Sequence, residues 1–262
     1  MPSNPLVTEV LVGLTRQGQA QLDALGLLLV QAVVLFLWWP KDGLAPMLES
    51  QHGPHTLTAV VMAMGATTAY FAVRAGAEEV VLPGQHGLRD WALATPLGLG
   101  RILRGYVLGQ LVHSVHLLAL SSPLLLMAFT VSGGEWDALG WCVAATLVQA
   151  LFYRLCGAIT HVTIGQHRTE TRFFVRAILM VVYVPVGLLA PVTSHVAFTS
   201  RALGEHMNTQ PAFPAVSDQV VFLAVYAGCS LLAALVLHRL LLRERRRMER
   251  HDGAGVGGAV TP

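Results

Sequence analysis

Apolar residues in this chain are gathered into long runs, with polar residues in shorter islands between them. A bilayer core about 30 Å thick takes ~20 residues of α-helix to cross. Runs of that order are read at 21–39, 55–73, 105–131, 138–165, 173–192 and 218–242. They do not show the ~10-residue alternating segments of a membrane β-barrel. Trp38 and Trp39, just before Pro40, suit a membrane–water interface. Gly133-Gly134 marks a tight turn, Pro123 a kink, and Pro185 and Pro191 breaks in the fifth run. Ahead of the first run, Asn4 is a good N-cap and Pro5 suits the first helical position. Leu6, Val7, Val10, Leu11 and Leu14 then recur at helical spacing, which predicts a helix over 4–17 lying on the membrane. The predicted fold class is all-α integral membrane. It has an N-terminal interfacial helix (1–20), six transmembrane helices (21–242) and a basic, partly disordered tail (243–262).

Composition sharpens this reading. Of 262 residues, 54% are hydrophobic and 12% charged, where a soluble domain carries roughly 45–50% and about 25%. The mean hydropathy is +0.57. The net charge of +2 says little until the charges are placed. Arg16, Arg74, Arg89, Arg101, Arg104, Arg154, Arg168, Arg172, Arg176 and the cluster Arg239–Arg250 fall on one side of the predicted topology, and only Lys41 and Arg201 on the other. By the positive-inside rule both termini are cytoplasmic and the number of spans is even. The N-terminus lacks the layout of a secretory signal, so the first run is expected to remain as an anchor in the cell (inner) membrane.

Candidate chemistry is sparse. Cys142, Cys156 and Cys229 lie in apolar runs without CxxC spacing and are read as small buried hydrophobes. His113 and His116 share a face of the third span, and His161 sits on the fourth. Intramembrane histidines serve either as functional groups or as interhelical hydrogen-bond partners. His195 and Asp218 lie near the outer face, and His52, His55, His206 and Met207 in outer loops at spacings too loose for a metal motif. There is no GxxxxGK[ST], GxSxG or HExxH, so neither catalytic residues nor a cofactor are assigned to this chain. The basic tail is expected to begin as an extension of the sixth helix, touching anionic lipid headgroups rather than nucleic acid, and to end in a disordered Gly-rich segment.

The longest polar island, at 75–104, has the most internal organisation. Glu78 and Glu79 follow the second span, Pro83-Gly84 turns the chain, and His86–Thr95 reads as a short helix with Leu88, Trp91, Ala92 and Thr95 on one face. Pro96 stops it. Physics alone leaves two uses open: docking in a partner's groove, or capping the chain's own spans.

The stretch HGLRDWALATPLGLGRILRGYVLGQL resembles a hallmark of ABC transporter type-2 permeases, in which a "GT-x-LL-x-TPL" segment leads to an "IL-x-GK" entry into the third span. The matching positions are Gly87, Leu88, Trp91, Leu93, Thr95, Pro96, Leu97, Ile102, Leu103 and Gly105. The opening Asn4–Val10 is similar to the family's "NP-x-x-x-E" start. Leu88 stands where the family has threonine, Tyr106 where lysine is common, and the last outer loop is short. The resemblance implies the permease subunit of an exporter with a lipid-like or amphipathic substrate. It also implies a second permease copy, with the first, second and fifth spans lining the pathway. ATP and Mg would be held by a separate cytoplasmic ATP-binding cassette subunit. The loop would be a coupling helix docking that subunit through Glu78, Glu79, Gly87, Leu88, Arg89, Trp91, Thr95 and Pro96. Two other readings stay open: a histidine-ligated redox or metal protein built on His113, His116 and His161, and a non-transporting membrane scaffold.

Overall fold

The computed structural model describes residues 18–39, 55–78, 95–164, 194–203 and 217–256, and positions 8, 88, 92, 93 and 177 singly. Regular structure among them is entirely helical: α1 (Gly18–Leu37), α2 (His55–Glu78), α3 (Leu99–Ser132), α4 (Trp136–Ile164), α5 (His195–Ala202) and α6 (Asp218–Val256). Four of these, α2, α3, α4 and α6, are long and apolar enough to cross a membrane, and α1 holds a shorter apolar stretch, Gln21–Leu37. An all-helical set of described residues with four such helices is what a membrane protein requires. The helix expected over 4–17 and the fifth run at 173–192 lie outside the described residues, save Thr8 and Ala177.

Three boundaries differ from the sequence reading. Helix α3 begins at Leu99 rather than Gly105, after Gly98 in an extended conformation (φ −64°, ψ 134°). Its first turns bury Ile102 and Tyr106 while Arg101 and Arg104 face outward, so two arginines do not interrupt it. Helix α6 carries the expected basic extension through the arginine cluster, but runs on to Val256, into the Gly-rich part expected to be disordered. Residues 195–202, read as loop, form α5, whose Ser194 caps the helix by accepting from the Ala197 N–H at 3.3 Å.

Helix α4 is the hub, packed against α2, α3, α5 and α6. Helices α2, α4 and α6 run parallel, and α1 and α3 run against them. At one end the Thr56 hydroxyl donates to the Trp38 carbonyl (2.8 Å) and the Leu57 N–H to Ser132 Oγ (3.0 Å). At the other, Asp23 of α1 pairs with Arg74 of α2 at 3.5 Å. The α3–α4 connection turns on Gly133, whose φ of 65° favours glycine and whose N–H returns to the Phe129 carbonyl at 3.0 Å.

The closest helix contact is between α2 and α4. Small residues line it: Ala69, Ala72 and Ala77 face Ala150 across a seam that Val73 and Tyr153 complete. Gly76 and Gly157 meet at its centre, where a Cβ on Gly157 would lie 3.0 Å from the Gly76 Cα and run into the Val73 carbonyl. In lipid, helices associate through such close packing, because the tails offer no hydrophobic drive between them. Toward the end near Trp38, larger side chains fill the core, with Leu57, Met64, Phe129, Phe198 and Phe222 among them. Outward faces stay apolar, Phe36 being 79% and Leu29 67% exposed, as hydrocarbon requires and water would not. Hydroxyls inside the helices bond backwards to their own turns, Thr67 to Ala63 (2.6 Å) and Thr146 to Cys142 (2.9 Å).

Candidate functional site

Leu88, Ala92, Leu93 and residues 95–98, the described part of the loop, lie at the arginine-rich end of the bundle. Leu88 (3% exposed) and Ala92 (fully buried) join Ile102 and Tyr106 of α3, Leu155 and Val162 of α4, and Leu237 and Leu241 of α6 in one apolar cluster. The face carrying Leu88 and Ala92 is therefore covered by this chain's own helices. The cluster that takes in Leu88 and Ala92 draws on three long helices. Thr95 is half-buried and Pro96 exposed. A second tie comes from α6, where Arg245 Nη1 donates to the Leu97 carbonyl at 3.4 Å while its Nε pairs with Glu249 Oε1 at 3.7 Å. Glu78 closes α2, and Glu79, Gly87, Arg89 and Trp91 lie outside the described residues.

The three histidines of the redox reading go to three different places. His161 Nδ1 bonds the Ala77 carbonyl at 3.0 Å and so serves the open C-terminal turn of α2. His116 is exposed on α3. His113 is half-buried and faces a cleft among α2, α3 and α4. Among the described residues no three histidine, cysteine or acidic side chains gather as metal ligands.

That cleft has a mixed lining, apolar from Phe71, Ala72 and Leu117 and polar from three helices. Thr68 of α2, Gln110, His113 and Ser114 of α3 and Arg154 of α4 line it. Its room is that of about one water molecule. Arg154 stands ten residues before the end of α4 at Ile164, about 15 Å along the helix axis. Three buried atoms in it have no hydrogen-bond partner: Thr68 Oγ1, His113 Nε2 and Arg154 Nε. A buried polar atom left unpaired costs about 1–3 kcal/mol, and an arginine at mid-span ~2.5–3.5 kcal/mol on insertion scales. The sequence reading counted Arg154 among the charges of the arginine-rich side and gave it no other role. Thr68 and Gln110 escaped it, since an isolated threonine or glutamine in an apolar run signals nothing by itself.

Helix α5 wedges between the others. The His195 ring lies on Gly65 of α2, with no space for a Cβ there. Its Nε2 meets Thr146 Oγ1 of α4 at 3.2 Å and its Nδ1 meets Thr199 Oγ1 at 3.4 Å. A neutral imidazole serves both contacts, one nitrogen donating and the other accepting. At the opposite end of α5, Arg201 forms an ion pair with Asp218 at the head of α6. His195 and Asp218 are thus packing and anchoring groups, held in separate contacts. Comparison with family models, curated proteins and solved structures gives no match for this chain.

Proposed function

We propose that the chain is the permease subunit of an ATP-driven exporter, with its ATPase on a separate cytoplasmic chain and a second permease copy beside it. The substrate class in this reading is lipid-like or amphipathic. The observation that carries the reading is the attachment of the 88–98 segment. Leu88 and Ala92 reach α3, α4 and α6 together, and Arg245 ties Leu97 to α6 again. A push on such a segment from a partner moves three long helices as a unit. Coupling of that kind needs a partner whose contacts differ between two states of this chain. Leu88 is the lever's root here, and the docking surface is formed by the rest of the segment: Glu78, Glu79, Gly87, Arg89, Trp91, Thr95 and Pro96. On this reading the arginine-rich end faces the cytoplasm, in keeping with the positive-inside rule.

The test is affinity purification of the full chain from its native membranes, followed by identification of bound polypeptides. A P-loop ATPase is expected with the wild type and absent with the pair Arg89→Glu and Trp91→Ala. Leu88 is left in place so that the segment keeps its seat. Purification without any P-loop ATPase, or equal recovery with the pair changed, overturns the reading.

A further inference from the structure

The cleft among α2, α3 and α4 asks for a ligand that the bundle does not supply. Its polar lining is rich in hydrogen-bond donors: a guanidinium, an amide, two hydroxyls and an imidazole. Among the described residues no carboxylate lines it and Arg154 has no acidic partner. Thr68 is 2% exposed, and its hydroxyl is unpartnered at the same cleft. Arg154 Nε and His113 Nε2, buried atoms of two residues that line the same cleft, likewise have no hydrogen-bond partner. Arg154, His113 and Ser114 are only half-buried, so the cleft is open on one side.

We propose that this cleft binds an anionic oxygen group, a phosphate or carboxylate, with one oxygen seated among Arg154, Thr68 and His113. The space admits one oxygen-sized group, and the remainder of the anion sits at the open side beside Ser114. Arginine is suited to the task because its planar fork gives two parallel bonds to one oxyanion. Neutral Thr68 and Gln110 add donors without adding charge. With its Nδ1 as the unprotonated nitrogen, His113 offers an Nε2–H to the same oxygen. A single water relieves the unpaired atoms but leaves the guanidinium charge uncompensated in a low-dielectric setting. An oxyanion answers both. The depth of the cleft, about 15 Å from the arginine-rich end of α4, suits the headgroup of an acidic lipid drawn into the bundle or a free anion entering from that end. This assignment stands on the cleft alone and holds whether or not the chain works with an ATPase.

The experiment uses the purified full chain in a non-ionic detergent at constant ionic strength. Melting temperature is followed against dihexanoyl phosphatidic acid, inorganic phosphate and the uncharged dihexanoylglycerol. A saturable rise with dihexanoyl phosphatidic acid but none with dihexanoylglycerol is expected. Saturation by inorganic phosphate as well identifies a free-anion site; saturation by the lipid alone identifies a headgroup site. In Arg154→Gln the half-saturating concentration rises on the order of tenfold or more. Arg154→Lys retains part of the binding, because it keeps the charge and loses the fork. Thr68→Val, nearly isosteric, weakens binding by about threefold to tenfold. If neither anion gives a saturable rise, or if Arg154→Gln saturates where the wild type does, the proposal is wrong. Should Arg154→Gln fail to fold, unchanged half-saturation in both Thr68→Val and Ser114→Ala overturns it equally.

Discussion

Gly157→Ala isolates the contact on which the bundle's centre depends. A Cβ at Gly157 would lie 2.8 Å from the Ala77 nitrogen and 3.0 Å from the Gly76 Cα, and would collide with the Val73 carbonyl. All three obstacles are backbone of a neighbouring helix, which cannot rotate away as a side chain can. Ordinary contact of a Cβ begins near 3.4 Å, so α2 and α4 must part by about 0.5–1 Å. A gap of that size forfeits a quarter to a half of each dispersion well along the seam. With overpacking strain, the expected loss is about 2–4 kcal/mol. For a chain of this size that is a fall in melting temperature of roughly 5–15 °C. Gly140→Ala in the same helix is the matched control, because nothing lies within 4 Å of its added Cβ. Helix propensity alone favours alanine by about 1 kcal/mol in both changes. The assay is a thermal melt of both variants in one detergent, monitored by tryptophan fluorescence. If Gly157→Ala melts with Gly140→Ala at or above the wild type, the close crossing of α2 and α4 is refuted.

Other outcomes follow from the same packing. Gly65→Ala should destabilise by a comparable ~2–4 kcal/mol, since the His195 ring occupies the added methyl's place. Combining it with His195→Ala should recover part of that loss in the same melt, and strictly additive losses would refute the contact. Replacing Arg201 by Ala removes one partner of an ion pair whose side chains are each 17% exposed. It should cost about 1–3 kcal/mol, and a double-mutant cycle with Asp218→Asn should show coupling well above an exposed pair's. His161→Gln retains a donor for the Ala77 carbonyl and His161→Leu does not. The leucine variant should melt lower by ~1 kcal/mol or more than the glutamine variant, and equality would remove the capping role. Cys142 is fully buried, so a maleimide should fail to label it in the folded protein and label it after denaturation.

How far the sequence reached depended on whether a feature was local. The runs that became α1, α2, α3, α4 and α6 were legible because a bilayer imposes length and apolarity on each helix separately. The turn at Gly133 was legible for the same reason, being decided by neighbours in the chain. Arginine placement likewise named the end at which Asp23, Arg74 and the long extension of α6 gather. Helix α5 was missed because its eight residues are too few and too weakly apolar to stand out as a run, and are held by Gly65, Thr146 and Phe222 from three other helices.

The 88–98 segment shows the boundary most clearly. Its amphipathic spacing and its proline stop could be read along the chain. Which side Leu88 faces could not, since that depends on whether α3, α4 and α6 present a complementary apolar surface. The polar cleft lay further still from view. Thr68, Gln110 and Arg154 come from three helices, and only the rotation and depth of each helix bring them together. By itself the sequence determined that this is a chain of membrane-crossing helices with one arginine-rich end. Only the tertiary structure decided which small residues let α2 and α4 touch, which face of the loop was already taken, and where an arginine faces a space with no counter-charge among the described residues. The physical reason is the same each time: hydropathy is a property of one segment against its solvent, whereas contact and charge compensation are properties of several segments at once.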